Sequence, residues 1–331
     1  MTPAVELINP YSGNPLRFGK DALVDEGGRQ FSLREGVFRF VESDGYAASF
    51  GLQWNRYQKT QLDILRHGYR QSRDRFFAAT GWRPDELRGK KVLEAGSGAG
   101  RFTQVVLDHT EAELYSVDLS SAVDANWRNN GPHDRLQLFQ ASIYELPFAK
   151  RQFDKVFCFG VLQHTPDPRR TVACLSQMVK PGGELVVDFY AKLGWHTMIQ
   201  VKYLLRPFTK RMDPGRLLAL IEANTDRLIA AHRFVKWLGI DRLAKRLIPV
   251  CDIEDTLPHD LDEASLHEWV ALDTFDMFSP WYDQPQRIDT VRKWFEESGL
   301  SEVWGGVVSY GKKNRVPVVR GTLPSARPGE G

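Results

Sequence analysis

The run Val92-Leu93-Glu94-Ala95-Gly96-Ser97-Gly98-Ala99-Gly100-Arg101 decides the fold. An apolar strand stops at Ala95, glycines follow at alternate positions, and a helical pattern opens at about Gly100–His109. Glycine there lets the backbone adopt conformations closed to other residues and leaves no side chain in a ligand's path. The first amides of the following helix lack intrahelical partners and favour a polar or anionic group. Dehydrogenases use a similar loop with the pattern GxGxxG, whose third glycine is missing here because GxGxG runs into Arg101. Glu94, in the strand before the loop, can steer the loop or meet a positively charged ligand.

Outward from this loop, strand and helix patterns alternate. Lys91–Ala95, Glu113–Val117, Leu136–Gln140, Asp154–Phe159 and Glu184–Phe189 read as five strands. Asp167-Pro168 starts the helix between the last two, and Pro181-Gly182-Gly183 ends it. Near-continuous apolar strands joined by helices predict a doubly wound α/β fold, its parallel sheet covered on both faces. A helix over Arg287–Ser298 and strands near Glu302–Tyr310 and Val316–Arg320 complete this core. The chain thus divides into a small β-rich module (1–49), N-terminal helices forming a lid (50–87), a core (88–189 and 285–321), a helical cap insertion (190–284) and a disordered tail (322–331). Ser72 is the expected cap of a short helix that buries Phe76 and Phe77.

The motifs resemble those of class I S-adenosylmethionine-dependent methyltransferases, in the right order over about 100 residues. Glu94-Ala-Gly-Ser-Gly-Ala-Gly100 is similar to the family's first motif, which implies that Glu94, Gly96, Ser97, Gly98, Gly100 and Arg101 bind S-adenosylmethionine around its methionine part. Asp118 follows Gly96 by 22 residues, at the end of the second strand with Leu119, where an acid accepts the ribose hydroxyls. Gln140-Ala-Ser142-Ile143 stands at the adenine-contacting position, although the family often has an acid in place of Ser142. Phe157–Pro168, with Phe159 and His164, resembles the fourth motif, and Lys180-Pro-Gly-Gly183 resembles the turn before the fifth strand. The family's seven-stranded order 3-2-1-4-5-7-6, with an antiparallel last strand, is the implied topology. Phe50–Asp63 and Leu272–Met277 resemble a bacterial subgroup from glycan and natural-product clusters. Residues 1–42 look like a small zinc-ribbon module whose cysteines would fall near Asn9-Pro10-Tyr11-Ser12. The thiolates are absent, so no metal is expected.

Composition narrows the function further. A formal charge of +2 gives no reason to expect a polyanion partner for the whole protein. The three cysteines, Cys158, Cys174 and Cys251, lie far apart and suit a reducing cytoplasm rather than a disulfide framework. Neither a secretory leader nor a membrane-spanning apolar run is legible. The fourth strand is not followed by Asn/Asp-Pro-Pro-Tyr/Phe, which argues against methylation of nucleic-acid amino groups.

His164 follows the fourth strand, where it either takes a proton from a hydroxyl acceptor or fixes the loop before Pro166 and Pro168. Trp54, Tyr57, Gln58 and Gln61 fall at helical spacing and form either a lid or a packed face. Asp273, Asp276, Trp281, Tyr282 and Gln284 mix carboxylates with aromatics, a combination suited to a sugar-like acceptor or to an ordinary contact between cap and core. Residues 190–250 carry twelve Lys/Arg against four Asp/Glu, and 251–283 carry ten Asp/Glu and no Lys/Arg. The basic stretch, with Arg206, Lys210, Arg211, Lys245 and Arg246, either meets the acidic one or rests weakly on anionic lipid. The expected activity is methyl transfer to a small-molecule or carrier-linked acceptor, with oxygen as the first choice of atom and no nucleic acid as partner. An RNA or protein methyltransferase, a non-catalytic subunit that binds the cofactor, and a nicotinamide dehydrogenase are the alternatives.

Overall fold

The computed structural model describes residues 4–63, 70–192, 194, 200–240, 248–253, 257–258, 261–311 and 314–325. Four short strands open the chain: β1 (Leu16–Phe18), β2 (Ala22–Asp25), β3 (Gln30–Arg34) and β4 (Val37–Arg39). Helices α1 (Ala48–Arg56) and α2 (Gln71–Thr80) follow. The alternating core then runs β5 (Lys91–Ala95), α3 (Arg101–His109), β6 (Glu113–Asp118), α4 (Ala122–Asn130), β7 (Leu136–Gln140), β8 (Phe153–Cys158), α5 (Pro168–Ser176) and β9 (Val179–Asp188). The cap supplies α6 (Val201–Thr209), α7 (Pro214–Trp237) and α8 (Glu263–Phe278). Helix α9 (Ile288–Glu297) and strands β10 (Ser301–Tyr310) and β11 (Asn314–Thr322) close the core.

The core strands stand in the order β7-β6-β5-β8-β9-β11-β10, with β11 antiparallel to both neighbours. Counted from β5, that is the 3-2-1-4-5-7-6 order the motifs imply. Alternate strand residues supply opposite faces, as the pleat requires. Leu93, Val117, Val156 and Val187 pack under α5 and α9. Val92, Leu114, Phe157 and Val186 pack under α2 and α3.

Four expectations are corrected. The sheet has eleven strands among the described residues, not seven, because β4 pairs in parallel with β7 and carries β3, β2 and β1 with it. The module at 1–49 is therefore continuous with the core, and Leu23, Phe31 and Phe40 share one cluster with Phe139 and Phe148. Where metal ligands would have stood, the buried Asn9 amide donates to the Asp25 carboxylate at 2.5 Å and Arg29 lies over the Tyr11 ring. Helix α2 is not capped by Ser72: the Asp63 carboxylate accepts from the amides of Ser72 and Arg73, at 3.0 and 2.8 Å. Pro181-Gly182-Gly183 does not end a helix; it lies inside β9, as an irregularity opposite β8. The tail is ordered at its start, where β11 runs to Thr322 and Leu323 exchanges backbone bonds with Gly182 and Gly183. Residues 326–331 lie outside the described residues, as do Lys245 and Arg246.

The cap builds its own cores. Leu217, Leu218 and Ile221 of α7 meet Leu272, Phe275 and Phe278 of α8 over the Tyr57 ring. Basic and acidic stretches meet in part, with Lys202 2.9 Å from Asp283 and Arg233 4.0 Å from Glu263. Among the described residues, no helix is long and apolar enough to cross a membrane.

Candidate active site

The carboxyl ends of the parallel strands, α1 and the cap enclose a cavity of about 1170 Å³. Gly96 and Gly98 line it, with φ of +84° and +52°. A Cβ on Gly96 would meet Val161 at 2.2 Å, and one on Gly98 would sit 3.1 Å from the Trp54 indole nitrogen, so the loop passes directly beneath that ring. The Gly98 amide donates to Asp118 at 2.8 Å, and the same carboxylate accepts from the Ser120 amide and hydroxyl. Burial pushes the Asp118 carboxyl up, opposed by the bonds from Ser120 and Gly98. Leu119, Ile143 and Phe159 complete the apolar walls at this end. Arg101 also lines the cavity and donates to the Gln61 side chain at 2.8 Å.

Three residues assigned to the cofactor stand elsewhere. Glu94 lies beneath the loop, where its carboxylate accepts from the Thr103 and Ser116 hydroxyls. Burial drives its carboxyl up to about 7, while those two bonds pull it down. Glu94 thus ties α3 to β6, outside the cavity lining. Gly100 faces α4, where a Cβ would strike Asn126 at 2.2 Å, so its glycine serves helix packing. The Ser142 hydroxyl accepts from the Tyr144 amide and shapes its own turn.

His164 is buried and lines the cavity. Its Nδ1 lies 3.0 Å from the Tyr282 carbonyl oxygen. A carbonyl can only accept, so Nδ1 carries the proton, and in the neutral imidazole Nε2 keeps its lone pair. The imidazole is clamped between Phe50 and Tyr190, with ring centroids at 5.1 and 5.4 Å. One hydrogen bond thus fixes both the loop and the tautomer.

The other residues assigned to the acceptor divide. Trp54, Gln58, Gln61, Asp273 and Asp276 line the cavity. Tyr57 turns away, and its hydroxyl donates to Glu222 at 2.8 Å. Trp281 lies beside Lys210 on the outside of the cap. Tyr282 contributes its carbonyl to His164 and stacks edge-on against Tyr46. Gln284 donates to the carbonyls of Thr165 and Pro166, bracing the loop after His164.

On the cap side, the Tyr190 hydroxyl donates to Asp276 at 2.9 Å. Burial, reinforced by Asp276 nearby, pushes the Asp273 carboxyl up to about 8 against the pull of Arg101 and Arg75. Arg75 is itself bonded at 2.6 Å to Asp188, which also accepts from the Gly160 amide, so α2 is tied to the end of β9.

The sequence reading missed Gln53. It lies fully buried on the cavity wall, and neither atom of its amide has a hydrogen-bond partner in the protein. The Ser97 hydroxyl, on the glycine loop, is in the same condition. Buried polar atoms are paired as a rule, so these unmet atoms mark where a polar ligand completes the structure. The spacing Phe50, Gln53, Trp54 was the available signal, one helical face that Tyr57 shares by spacing but leaves because it stands past the end of α1.

The sequence profile of the methyltransferase domain family matches residues 93–187. The chain carries a class I methyltransferase domain. Its cofactor is S-adenosylmethionine, and the glycine loop, the Asp118 carboxylate and the unmet Ser97 and Gln53 groups fit that ligand's mixed polar character. The chain is 28% identical over 232 residues to an uncharacterized protein of Synechococcus sp., covering 66% of this chain and 49% of the relative. It is 28% identical over 129 residues to the ubiquinone biosynthesis O-methyltransferase of Coxiella burnetii, covering 38% and 55%. It therefore spans about half the length of these relatives. The chain also aligns with the structure of magnesium protoporphyrin IX methyltransferase from Synechocystis with bound SAH. There the identity is 14%, the TM-score 0.44, and the coverage 84% of this chain and 95% of that one. Among the described residues, no group of three or more His, Cys, Asp or Glu is placed to hold a metal ion.

Proposed function

We propose that the chain transfers the methyl group of S-adenosylmethionine to an oxygen of a hydroxyl-bearing acceptor, small or carrier-linked, such as a glycan or natural-product precursor, in a reducing cytoplasm. The observation that supports this most is the shared cavity. The glycine loop and Asp118 line it from the core, and His164, Asp273 and Asp276 line it beside them. The cofactor supplies a methyl group already activated on a sulfonium, so the protein's task is chiefly alignment. Asp118 accepts the ribose hydroxyls, Trp54 covers the loop, and Gln53 and Ser97 pair their open atoms with the ligand. On the acceptor side, Asp276 and Tyr190 orient hydroxyls, Asp273 in its protonated form donates as well as accepts, and Nε2 of His164 takes the proton from the attacking oxygen.

Incubating the full chain with methyl-labelled S-adenosylmethionine and fractionated metabolites, lipids, RNA and protein tests the proposal. Label should enter the metabolite or lipid fraction. Label entering RNA or protein alone overturns the acceptor class, and no turnover with any fraction despite cofactor binding would favour a binding subunit.

A further inference from the structure

Helix α6 is amphipathic in the inverted sense. Its polar side makes the contacts within the molecule: buried Arg206 donates to the carbonyls of Met277 and Pro280 at 3.1 and 2.8 Å, and Thr209 to that of Phe278 at 3.0 Å. Lys202, on the same side, pairs with the buried carboxylate of Asp283. The apolar side faces outward, with Leu204 75% and Phe208 74% exposed and Leu205 and Met212 also exposed. A surface helix of a soluble domain turns its apolar stripe inward. Here the polar residues anchor α6 and the apolar ones are left for something else.

Two features say what that is. First, the rim is cationic. Lys210 lies 5.0 Å from the centroid of the exposed Trp281 ring, and exposed Arg211 donates to the Pro207 carbonyl of α6, with Asp213 the acidic residue that follows. Outward apolar side chains flanked by cations and a tryptophan match the interface of an anionic bilayer, where apolar groups enter the acyl boundary and cations meet headgroups. A second copy of the chain on the same face would bring like charges together. Second, Gln200 and Lys202, at the start of this helix, line the active-site cavity, so the patch adjoins its wall.

We propose that α6, with Met212 and Trp281, docks the protein on an anionic lipid surface beside the active-site cavity. This stands independently of the acceptor and of turnover, since it concerns an external face. The test is sedimentation of the full chain with vesicles of phosphatidylcholine alone and of phosphatidylcholine mixed with phosphatidylglycerol. Binding should appear with the mixed vesicles and weaken with added salt. The double variant Leu204→Ser/Phe208→Ser and the charge variant Lys210→Glu/Arg211→Glu should each lower it by about tenfold or more. Leu204, Phe208 and Arg211 are exposed, and half-buried Lys210 meets only the outer Trp281 ring, so melting temperature and cofactor affinity should stay at the parent's values. Binding equal on both vesicle types, or unchanged in both variants, overturns the proposal. So does failure of the parent to bind mixed vesicles, or a parent dimer that the double variant converts to monomer without a loss of vesicle binding.

Discussion

The two sides of the cavity are built by opposite means. On the core side, backbone does the work: glycines at positive φ, an amide held by Asp118, and strand ends fixed by sheet pairing. Opposite them, side chains do it: carboxyls at Asp273 and Asp276 and the Tyr190 hydroxyl from the cap, with the clamped imidazole of the loop after β8. A backbone-built site tolerates few substitutions because no rotamer relieves a clash, whereas a side-chain site is retuned one group at a time. The difference suits a fixed cofactor on one side and a selectable acceptor on the other.

The largest effect should come from the backbone side. Gly98→Val places a branched side chain at a positive φ and against Trp54, so calorimetry should detect no cofactor binding. Binding at the parent's affinity would remove the loop from the site. His164→Ala comes next. Turnover should fall by about 100-fold with cofactor affinity nearly unchanged, the signature of a lost proton acceptor. If affinity and melting temperature fall together, the imidazole's bond to Tyr282 is its whole role and the contrast between the two sides weakens.

Asp118→Ala should weaken the cofactor by about 1.5–3 kcal/mol, the range for a hydrogen bond to a charged group. Titration of the variant checks this, and an unchanged affinity would show that the ribose is held elsewhere. The smallest effect belongs to Asp273→Asn. The native carboxyl titrates at about 8, above its unfolded value of about 4, so the native state binds the extra proton between those limits. Stability from this group is complete below about pH 4 and is lost as pH rises through about 8. The parent's melting temperature should therefore decline more steeply than the variant's over that window. Parallel profiles would mean that Asp273 is ionised throughout.

The core was legible because its signals are local. The glycine loop, Asp118 at a strand end and Asp167-Pro168 at a helix start each depend on neighbours a few residues away, and each stands where the pattern put it. The errors came where partners are distant. Asp63 caps α2 from nine residues upstream, across a connection that carries no cap signal. Tyr57 and Gln53 both fit an amphipathic α1, and only the position of Glu222 on α7 decides which of them faces the cavity. Tyr282 and Gln284 hold His164 and its loop while Trp281 faces outward, and composition could not tell a brace or a surface ring from a ligand contact.

The pairing of β4 with β7 has a consequence for the chain's behaviour when it is shortened. Strand β7, Leu136–Gln140, is apolar and five residues long, and without β4 its row of amides and carbonyls would be open along one side. Such a side is a template for adding foreign strands. The first residues move that boundary outward to β1, three residues long with Arg17 exposed at its centre, a poor template for growth. Removing residues 1–49 would thus take only Tyr46 and Ala47 from the cavity lining yet convert a discrete particle into one prone to edge-to-edge aggregation.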